Sequence, residues 1–277
     1  MKLETAIETA PDRTGQVRSV VRSLTLLRYI AASDNGLTLT EVADKSSLPA
    51  STTHRLLTTL ESERFVRFDA SASLWQVGVT SFMVGSAFTR TRNLLNLAKP
   101  YLRRLMDQTG ETTNIFVETG GQVVCLDQVE SRFTMRAITQ IGGRIPMYCS
   151  ASGKAILGML PPERRDILLA EQSLARLTAH TITDQGRLIS ELEEVYRQGI
   201  AIDNEEHSDD LRCIAAPVFG ENGLPVAAVS VSGPASRIRN RRVSEISAQV
   251  RNMALTVTAE FGGAPTAQHR PSVLTRS

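Results

Sequence analysis

The pattern of apolar residues in the first quarter of the chain predicts three consecutive helices. Apolar positions recur at spacings of three and four in residues 17–33, as on one face of an amphipathic helix. The next helix takes Thr40 as its N-cap and ends before Leu48-Pro49, because proline disfavours helical geometry in the residue before it. A third helix begins at that proline and ends near Glu63. Two helices joined by so short a turn are typical of a helix-turn-helix.

A short β-hairpin is predicted directly after the third helix. The apolar segments FVRF and LWQV alternate in the manner of strands, and the polar segment DASAS separates them. Arg64 and Arg67 flank this hairpin. Residues 37–75 therefore predict a winged helix-turn-helix within a DNA-binding domain of residues 17–78. Its wing is expected to meet the backbone or minor groove of DNA.

The outer face of the third helix suits insertion into a major groove. Its leucines and Thr53 face inward by their spacing, which leaves short hydroxyl side chains and one arginine outside. Small hydroxyls allow close approach, and arginine can bind a guanine edge or a phosphate. The predicted DNA contacts are Thr40, Ser51, Thr52, His54, Arg55, Thr59 and Arg67.

The alternative is a two-helix corner inside an ordinary helical protein. The amphipathic helix before it, the length of the turn and the wing after it favour the DNA-binding interpretation. Charge does not distinguish the two interpretations. Residues 13–78 hold eight Lys or Arg and six acidic residues, and a net charge of two is not a basic surface.

A linker helix over residues 79–93 is predicted next. Phe82, Met83 and Phe88 give it more apolar surface than a spacer needs, so we expect it to pair with its own copy. The segments 1–16 and 263–277 lack any periodicity and are expected to be flexible tails.

Residues 94–262 are expected to form a second domain of helices and strands. Helices are predicted at 94–109, 150–160, in PPERRDILLAEQ, in RLISELEEVYRQG and at 240–261. Strands are predicted in TNIFVET, QVVCLDQV, FTMRAITQ, IAIDNEE, CIAAPVF and VAAVSVSG. Hairpins separated by helices predict an α+β fold with an antiparallel sheet, not a doubly wound one.

The composition is that of an ordinary globular protein. Hydrophobic residues make up 42% of the chain and charged residues 22%, and no apolar run is long enough for a membrane span or a signal peptide. The formal charge of +2 implies no strongly basic surface. The three cysteines lack metal-ligand spacing. We therefore expect a cytoplasmic protein with reduced thiols and with no metal or cofactor.

Familiar catalytic motifs are incomplete. SASGKA lacks two residues of a phosphate loop, because Tyr148 and Ala155 occupy the positions of its first glycine and its final Ser or Thr. SVSGP is not a nucleophile elbow, because Ala228 replaces a required glycine. A general-base role for His207 stays open beside the interpretation that it belongs to a solvated acidic loop. No catalytic residue is predicted.

A binding site is the remaining interpretation. The helix that Ser150 opens offers backbone amides near Ser152 and Gly153, with Lys154 close by, and could hold an organic anion; an ordinary capped helix is the alternative. The predicted inner strands also contain isolated polar or polarizable residues, which are candidate ligand contacts: Asp203, Cys213 and Ser230.

Three segments together resemble the IclR family of bacterial transcriptional regulators over residues 17–263. They are SLPASTTHRLLTTLE, GRIPMYCSASGKAIL, and GIAIDNEEHSDDLRCIAAPVF followed by AAVSVSGP. The resemblance implies a winged helix-turn-helix joined by a helix to a GAF-like effector-binding domain, with homodimers or dimers of dimers binding palindromic operators. It also implies a pocket for a small organic acid, formed by Ala137, Ile145, Ala151, Ser152, Asp203, Leu211, Cys213 and Ser230.

Two departures from the family pattern stand out. Cys149-Ser150 replaces the His and the Ala or Thr that relatives often carry, and Thr53 replaces a usual aliphatic residue. The sequence thus predicts a regulator whose operator affinity depends on a small acid. An enzyme that acts on a small carboxylate, with an autoregulatory DNA-binding domain, is the alternative.

Overall fold

The computed structural model describes residues 17–91, 94–137, 139–170 and 172–265, and within these the side chains of 86–91 are not described. The chain divides into two compact units, Met1–Arg92 and Asn93–Ser277. The tail predicted at 1–16 lies outside the described residues, as do residues 266–277 of the tail predicted at 263–277.

The first unit is a helix-turn-helix with a two-stranded wing. Its elements are α1 (Arg18–Ala31), α2 (Leu39–Ser46), α3 (Ala50–Ser62), β1 (Val66–Asp69), β2 (Leu74–Val77) and α4 (Val79–Thr91). The two strands pair antiparallel, with Val66 opposite Val77. Leu26, Leu57 and Trp75 lie in a core shared by the helices and the wing, so the wing is packed as part of the unit.

The start of α2 corrects the sequence prediction. Thr38, not Thr40, is the N-cap: its hydroxyl accepts a hydrogen bond from the Glu41 amide at 3.3 Å. The Glu41 carboxylate in turn accepts one from the Thr38 amide at 2.7 Å. This reciprocal arrangement requires a Glu three residues after the cap, which only Thr38 has. Thr40 therefore lies exposed in the first turn of the helix.

The second unit contains six strands and five helices among its described residues. In chain order these are α5 (Leu94–Thr109), β3 (Thr112–Thr119), β4 (Gln122–Val129), β5 (Arg144–Pro146), α6 (Ala151–Leu157), α7 (Pro162–Ala170), α8 (Gln185–Gln198), β6 (Ala201–Asn204), β7 (Leu211–Phe219), β8 (Pro225–Pro234) and α9 (Asn240–Glu260). The strands form one antiparallel sheet in the order β5-β4-β3-β8-β7-β6. The α+β class and the antiparallel sheet predicted from the sequence are confirmed.

Both faces of this sheet are covered. Helices α5 and α9 pack on one face against apolar residues such as Ile115, Ile214 and Val229. Helices α6 and α8 lie on the other face, around Phe116 and Ala215. Successive strand residues point to opposite faces, so the alternation in β8 directs its valines towards α9 and its serines towards α6.

The prediction of a strand in FTMRAITQ is wrong, because the described residues of that segment form no strand. Side-chain hydrogen bonds hold the segment as a loop instead: the Thr112 hydroxyl donates to the Ala137 carbonyl at 2.8 Å. Arg136 also pairs with Glu130 at 2.7 Å. The third strand of this region is β5, which pairs with β4 after the turn at Gly142, whose φ of 81° suits glycine.

Among the described residues, no helix is both long enough and apolar enough to span a bilayer.

Candidate functional site

The outer face of α3 presents most of the predicted DNA contacts to solvent. Ser51, His54, Arg55 and Thr59 are exposed, and Thr52 is half-buried. Thr40 on α2 and Arg67 on β1 are also exposed. A cleft of about 360 Å³ lies between the start of α2, α3 and the wing, and both Thr40 and His54 line it. The two helices and the wing therefore contribute to one surface.

Aromatic and polar contacts fix the wing to α3. The His54 ring meets the Trp75 ring edge-on, with 6.5 Å between centroids, and the Phe68 ring lies 4.9 Å from that of Trp75. The Glu61 carboxylate accepts a hydrogen bond from the Phe68 amide at 3.2 Å. The wing is thus held at a defined position beside the outer face of the helix.

Hydrogen bonding limits what individual groups on α3 can offer to DNA. The Thr59 hydroxyl donates to the Arg55 carbonyl at 2.9 Å, so its lone pairs remain as acceptors. The N-cap position is Pro49, whose side chain has no hydrogen-bonding atom. The first backbone amides of α3 are therefore suited to bind a phosphate.

The tip of the wing is ordered by Asp69. One of its carboxylate oxygens accepts hydrogen bonds from the Ser71 hydroxyl at 2.6 Å, the Ser71 amide at 3.0 Å and the Ala72 amide at 3.3 Å. These bonds, above all that from the Ser71 hydroxyl, lower the pKa of Asp69 below its ordinary value. The turn is therefore a structured projection.

In the second unit, strand register aligns polar side chains on the face that α6 covers. Asp203 on β6 lies opposite Cys213 on β7, which lies opposite Ser232 on β8, which lies opposite Thr112 on β3. In the next row, Ser230 lies opposite Asn114. The structure therefore brings three of the predicted effector residues onto neighbouring strands.

Sequence reasoning missed the members of this cluster that come from β3 and the end of β8. Thr112, Asn114 and Ser232 are buried. The signal was the polar triplet TTN at the start of an otherwise apolar strand, but only the pairing of β3 with β8 shows which of its side chains share the face.

The side-chain amide of Asn114 forms hydrogen bonds through its nitrogen but not through its oxygen. Its Nδ2 donates to the Ser230 hydroxyl at 3.4 Å and to the Ser232 hydroxyl at 3.3 Å. Its Oδ1 is buried and has no hydrogen-bond partner among the described residues.

Asp203 is buried at the end of β6 and organises the loop that follows. Its Oδ1 accepts hydrogen bonds from the amides of Glu206 at 2.8 Å and His207 at 3.3 Å. Burial outweighs these bonds and raises the pKa of Asp203 to about 7. Burial also raises the pKa of the Cys213 thiol, and the charge of Asp203 adds to this effect.

Lys154 does not face an anion site in the way the sequence suggested. Its ammonium group is fully buried and lies 2.6 Å from Glu206 Oε1 and 2.9 Å from Glu191 Oε1. Burial alone would lower the pKa of Lys154, but these two carboxylates raise it. The protein's own carboxylates therefore balance its charge.

Ser150 caps the start of α6. The Ser150 hydroxyl accepts a hydrogen bond from the Gly153 amide at 3.2 Å and donates to the Pro146 carbonyl at 2.8 Å. A Cβ atom at Gly153 would lie 2.3 Å from the backbone of Met147, so glycine is needed for this close packing. Ala151 and Ser152 are buried in the first turn.

The remaining predicted effector residues are spread along the sheet. The Ala137 carbonyl is tied to Thr112 in the loop after β4. Leu211 begins β7 and lies opposite Pro234. Ile145 lies on the edge strand β5, and strands β4, β3 and β8 separate it from β7.

Comparison with known proteins links both units to one family. A model of the IclR helix-turn-helix domain matches residues 19–70, and a model of the bacterial transcriptional regulator IclR C-terminal region matches residues 86–259. The chain is 43% identical to the transcriptional repressor IclR of Escherichia coli (strain K12) and to the acetate operon repressor of Salmonella typhimurium (strain LT2). Each alignment covers 93% of this chain and 94% of the relative.

The fold is also similar to a solved structure. An IclR homolog from Microbacterium hydrocarbonoxydans, complexed with 4-hydroxybenzoate, superimposes with a TM-score of 0.78 at 22% identity. The match covers 88% of this chain and 98% of that one. At this identity the likeness concerns the fold.

Proposed function

The chain belongs to the IclR family of bacterial transcriptional regulators, and we propose that a small organic acid bound in its second unit sets its affinity for DNA. The protein is a DNA-binding transcriptional regulator. The observation that carries the proposal is a polar cluster on one face of the sheet, formed by buried Asn114, Asp203 and Ser230 and half-buried Cys213. Burying polar groups is costly unless they find partners, so the cluster suits a small polar ligand.

The relatives support an acid as that ligand. One relative is named for the acetate operon, and one structural neighbour is complexed with 4-hydroxybenzoate. In the proposed arrangement the carboxylate binds near the amides of Ala151 and Ser152, where the start of α6 carries partial positive charge. The Gly153 amide contributes less than its neighbours, because Ser150 already accepts its hydrogen bond.

The other end of the acid is proposed to meet Asp203 and Ser230, with Cys213 beside them. An ionised aspartate would repel a carboxylate, so Asp203 is expected to accept a hydrogen bond from a hydroxyl or another donor of the ligand. Ala137, Ile145 and Leu211 are proposed to cover its apolar part.

On DNA, α3 is proposed to enter the major groove. In this proposal Arg55 binds the edge of a base. The surface of α3 that faces the groove is formed by Ser51, Thr52, His54 and Thr59. The DNA backbone is bound by Thr40 and Arg67. The exposure of these side chains and the uncovered start of α3 support this assignment. A palindromic operator would receive two such helices from a two-fold dimer.

The proposed dimer pairs through α4. Met83 and Val84 are apolar and exposed on this helix, as is Phe82, whereas the side chain of Phe88 lies outside the described residues. Replacing Met83 and Val84 with serine should yield monomers in sedimentation velocity, while Ile167→Ser, an equally exposed residue of α7, should not. A wild-type monomer at micromolar concentration would contradict this assembly.

No turnover is part of the proposed function, because regulation needs only equilibrium binding. We propose the cytoplasm as its compartment, since the operator DNA lies there. Loss of acid during incubation with the protein would favour the enzymatic alternative.

Thermal unfolding in the presence of carboxylates tests acid binding. A ligand that binds only the folded protein stabilises it by about 2.7 kcal/mol at a concentration of 100 times Kd. Ser152→Leu should abolish this stabilisation by filling the proposed carboxylate site, whereas Ser190→Leu, on the exposed face of α8, should keep it. Equal stabilisation of both variants would show that the acid binds elsewhere.

A further inference from the structure

We propose that Asn114 determines effector specificity by accepting a hydrogen bond from a hydroxyl group of the acid. The preferred effector is then a hydroxy acid and not a simple carboxylate. This inference rests on the proposed function, because it concerns the chemistry of the same pocket.

The position of Asn114 makes it part of that pocket. It lies on β3, directly opposite Ser230 of β8, and its side chain is 0% exposed. Its neighbour Phe116 packs on the same sheet face in the core beneath α6, whereas Ile115 packs on the opposite face. The Asn114 amide therefore points to the face that carries Asp203 and Cys213.

The hydrogen bonds of Asn114 define what is missing. Both serine hydroxyls accept from its Nδ2, so its Oδ1 faces away from those bonds. This oxygen is buried and has no donor within the described part of the chain. An unpaired buried acceptor is energetically unfavourable. A hydrogen bond from a ligand donor to this oxygen would therefore stabilise the complex more than the same bond would in water.

The requirement for a donor separates classes of acid. A carboxylate offers only acceptor oxygens and would be repelled by the amide oxygen, and the carbonyl of an oxo acid also lacks a hydrogen to donate. A hydroxyl can donate to Asn114 Oδ1 and still accept a hydrogen bond from another group.

Matched acid pairs test the inference by calorimetry on the full-length protein. The pairs are glycolate and acetate, lactate and propionate, and mandelate and phenylacetate, which differ only in one hydroxyl. The hydroxy acid of at least one pair should bind wild type roughly tenfold or more tightly than its partner, because losing the hydroxyl leaves a buried acceptor unpaired. Asn114→Leu should bring that ratio close to one and retain most of the affinity for the partner that lacks the hydroxyl.

Thr113→Val provides the matched control. Thr113 is the adjacent buried residue of β3, but its hydroxyl donates to the Leu102 carbonyl at 2.9 Å on the opposite face. This variant should therefore keep the preference for the hydroxy acid.

The outcomes separate this inference from the proposed function. If wild type binds both acids of every pair equally well, and the acids still change its DNA affinity, the inference alone is overturned. This outcome is measured on the wild-type protein and does not depend on whether a variant folds. A preference that persists in Asn114→Leu would overturn the role of Asn114. If none of the six acids binds wild type, both claims fail.

Discussion

At the scale of single residues, Thr53 is a polar side chain in an apolar environment. It is fully buried in α3, and its hydroxyl has no hydrogen-bond partner among the described residues. The inward orientation follows from the helical spacing, but the spacing gives no partner for the hydroxyl. An unpaired buried hydroxyl destabilises the fold, and valine has nearly the same shape.

Thr53→Val should therefore raise the free energy of unfolding of the first unit by about 1 kcal/mol. The single tryptophan of the chain, Trp75, is buried in this unit and reports its unfolding in urea. Thr25→Val is the control, because the Thr25 hydroxyl donates to the Val21 carbonyl at 2.9 Å and its loss should bring no gain. Equal effects of the two substitutions would contradict the account.

Asp203 predicts a pH-dependent stability of the second unit. Burial raises the pKa of Asp203 from 3.8 to about 7, so between these values the folded state binds a proton that the unfolded state lacks. Stability from this group is complete below pH 4 and is lost as the pH rises through 7, with an upper limit of about 4 kcal/mol.

Asp203→Asn keeps an acceptor for the amides of Glu206 and His207 and removes the titration. Urea unfolding followed by circular dichroism should show that the variant gains stability relative to wild type between pH 4 and pH 8. If the free energy of unfolding changes with pH in the same way in both proteins, the Asp203 carboxyl is not the source of the pH dependence.

At the scale of elements, periodicity predicted most helices and hairpins because their packing follows the chain locally. The helix that ends at Gly199 is an example, since that residue has a φ of 66°, where glycine is favoured. The strand in FTMRAITQ failed for the opposite reason. Thr112, 25 residues away, holds Ala137 in a loop, and no local pattern contains that bond.

Helix α3 and the wing should contribute differently to DNA binding. Arg55→Ala should weaken binding to a specific site by roughly 1 to 3 kcal/mol and relax the preference at one position of each half-site. Arg67→Ala, on the wing, should weaken binding to specific and random duplexes alike and reduce its salt dependence. Fluorescence anisotropy on both duplexes checks this, and an equal loss on both for Arg55→Ala would make Arg55 a phosphate contact.

At the scale of the whole molecule, the fold class and the family were predictable from contiguous segments of sequence. The site was predictable only in part, because its residues meet through strand pairing between distant segments. Asp203, Cys213 and Ser230 stood out as polar residues in apolar strands, whereas Asn114 became visible only through its register with β8. Lys154 was expected close to an anion site, and the sequence pattern did not show that its ammonium group pairs with Glu206 and Glu191 from other parts of the chain.

The central claim is that acid binding and DNA binding are coupled, and their reciprocity tests it most directly. An operator duplex can be selected from a random library by repeated binding to the protein, and its Kd measured by anisotropy with and without saturating hydroxy acid. The account predicts that the acid changes this Kd by a factor of about 5 to 150, and that the duplex changes the affinity for the acid, measured by calorimetry, by the same factor. An unchanged DNA affinity at a concentration where calorimetry shows the acid to be bound would contradict the account.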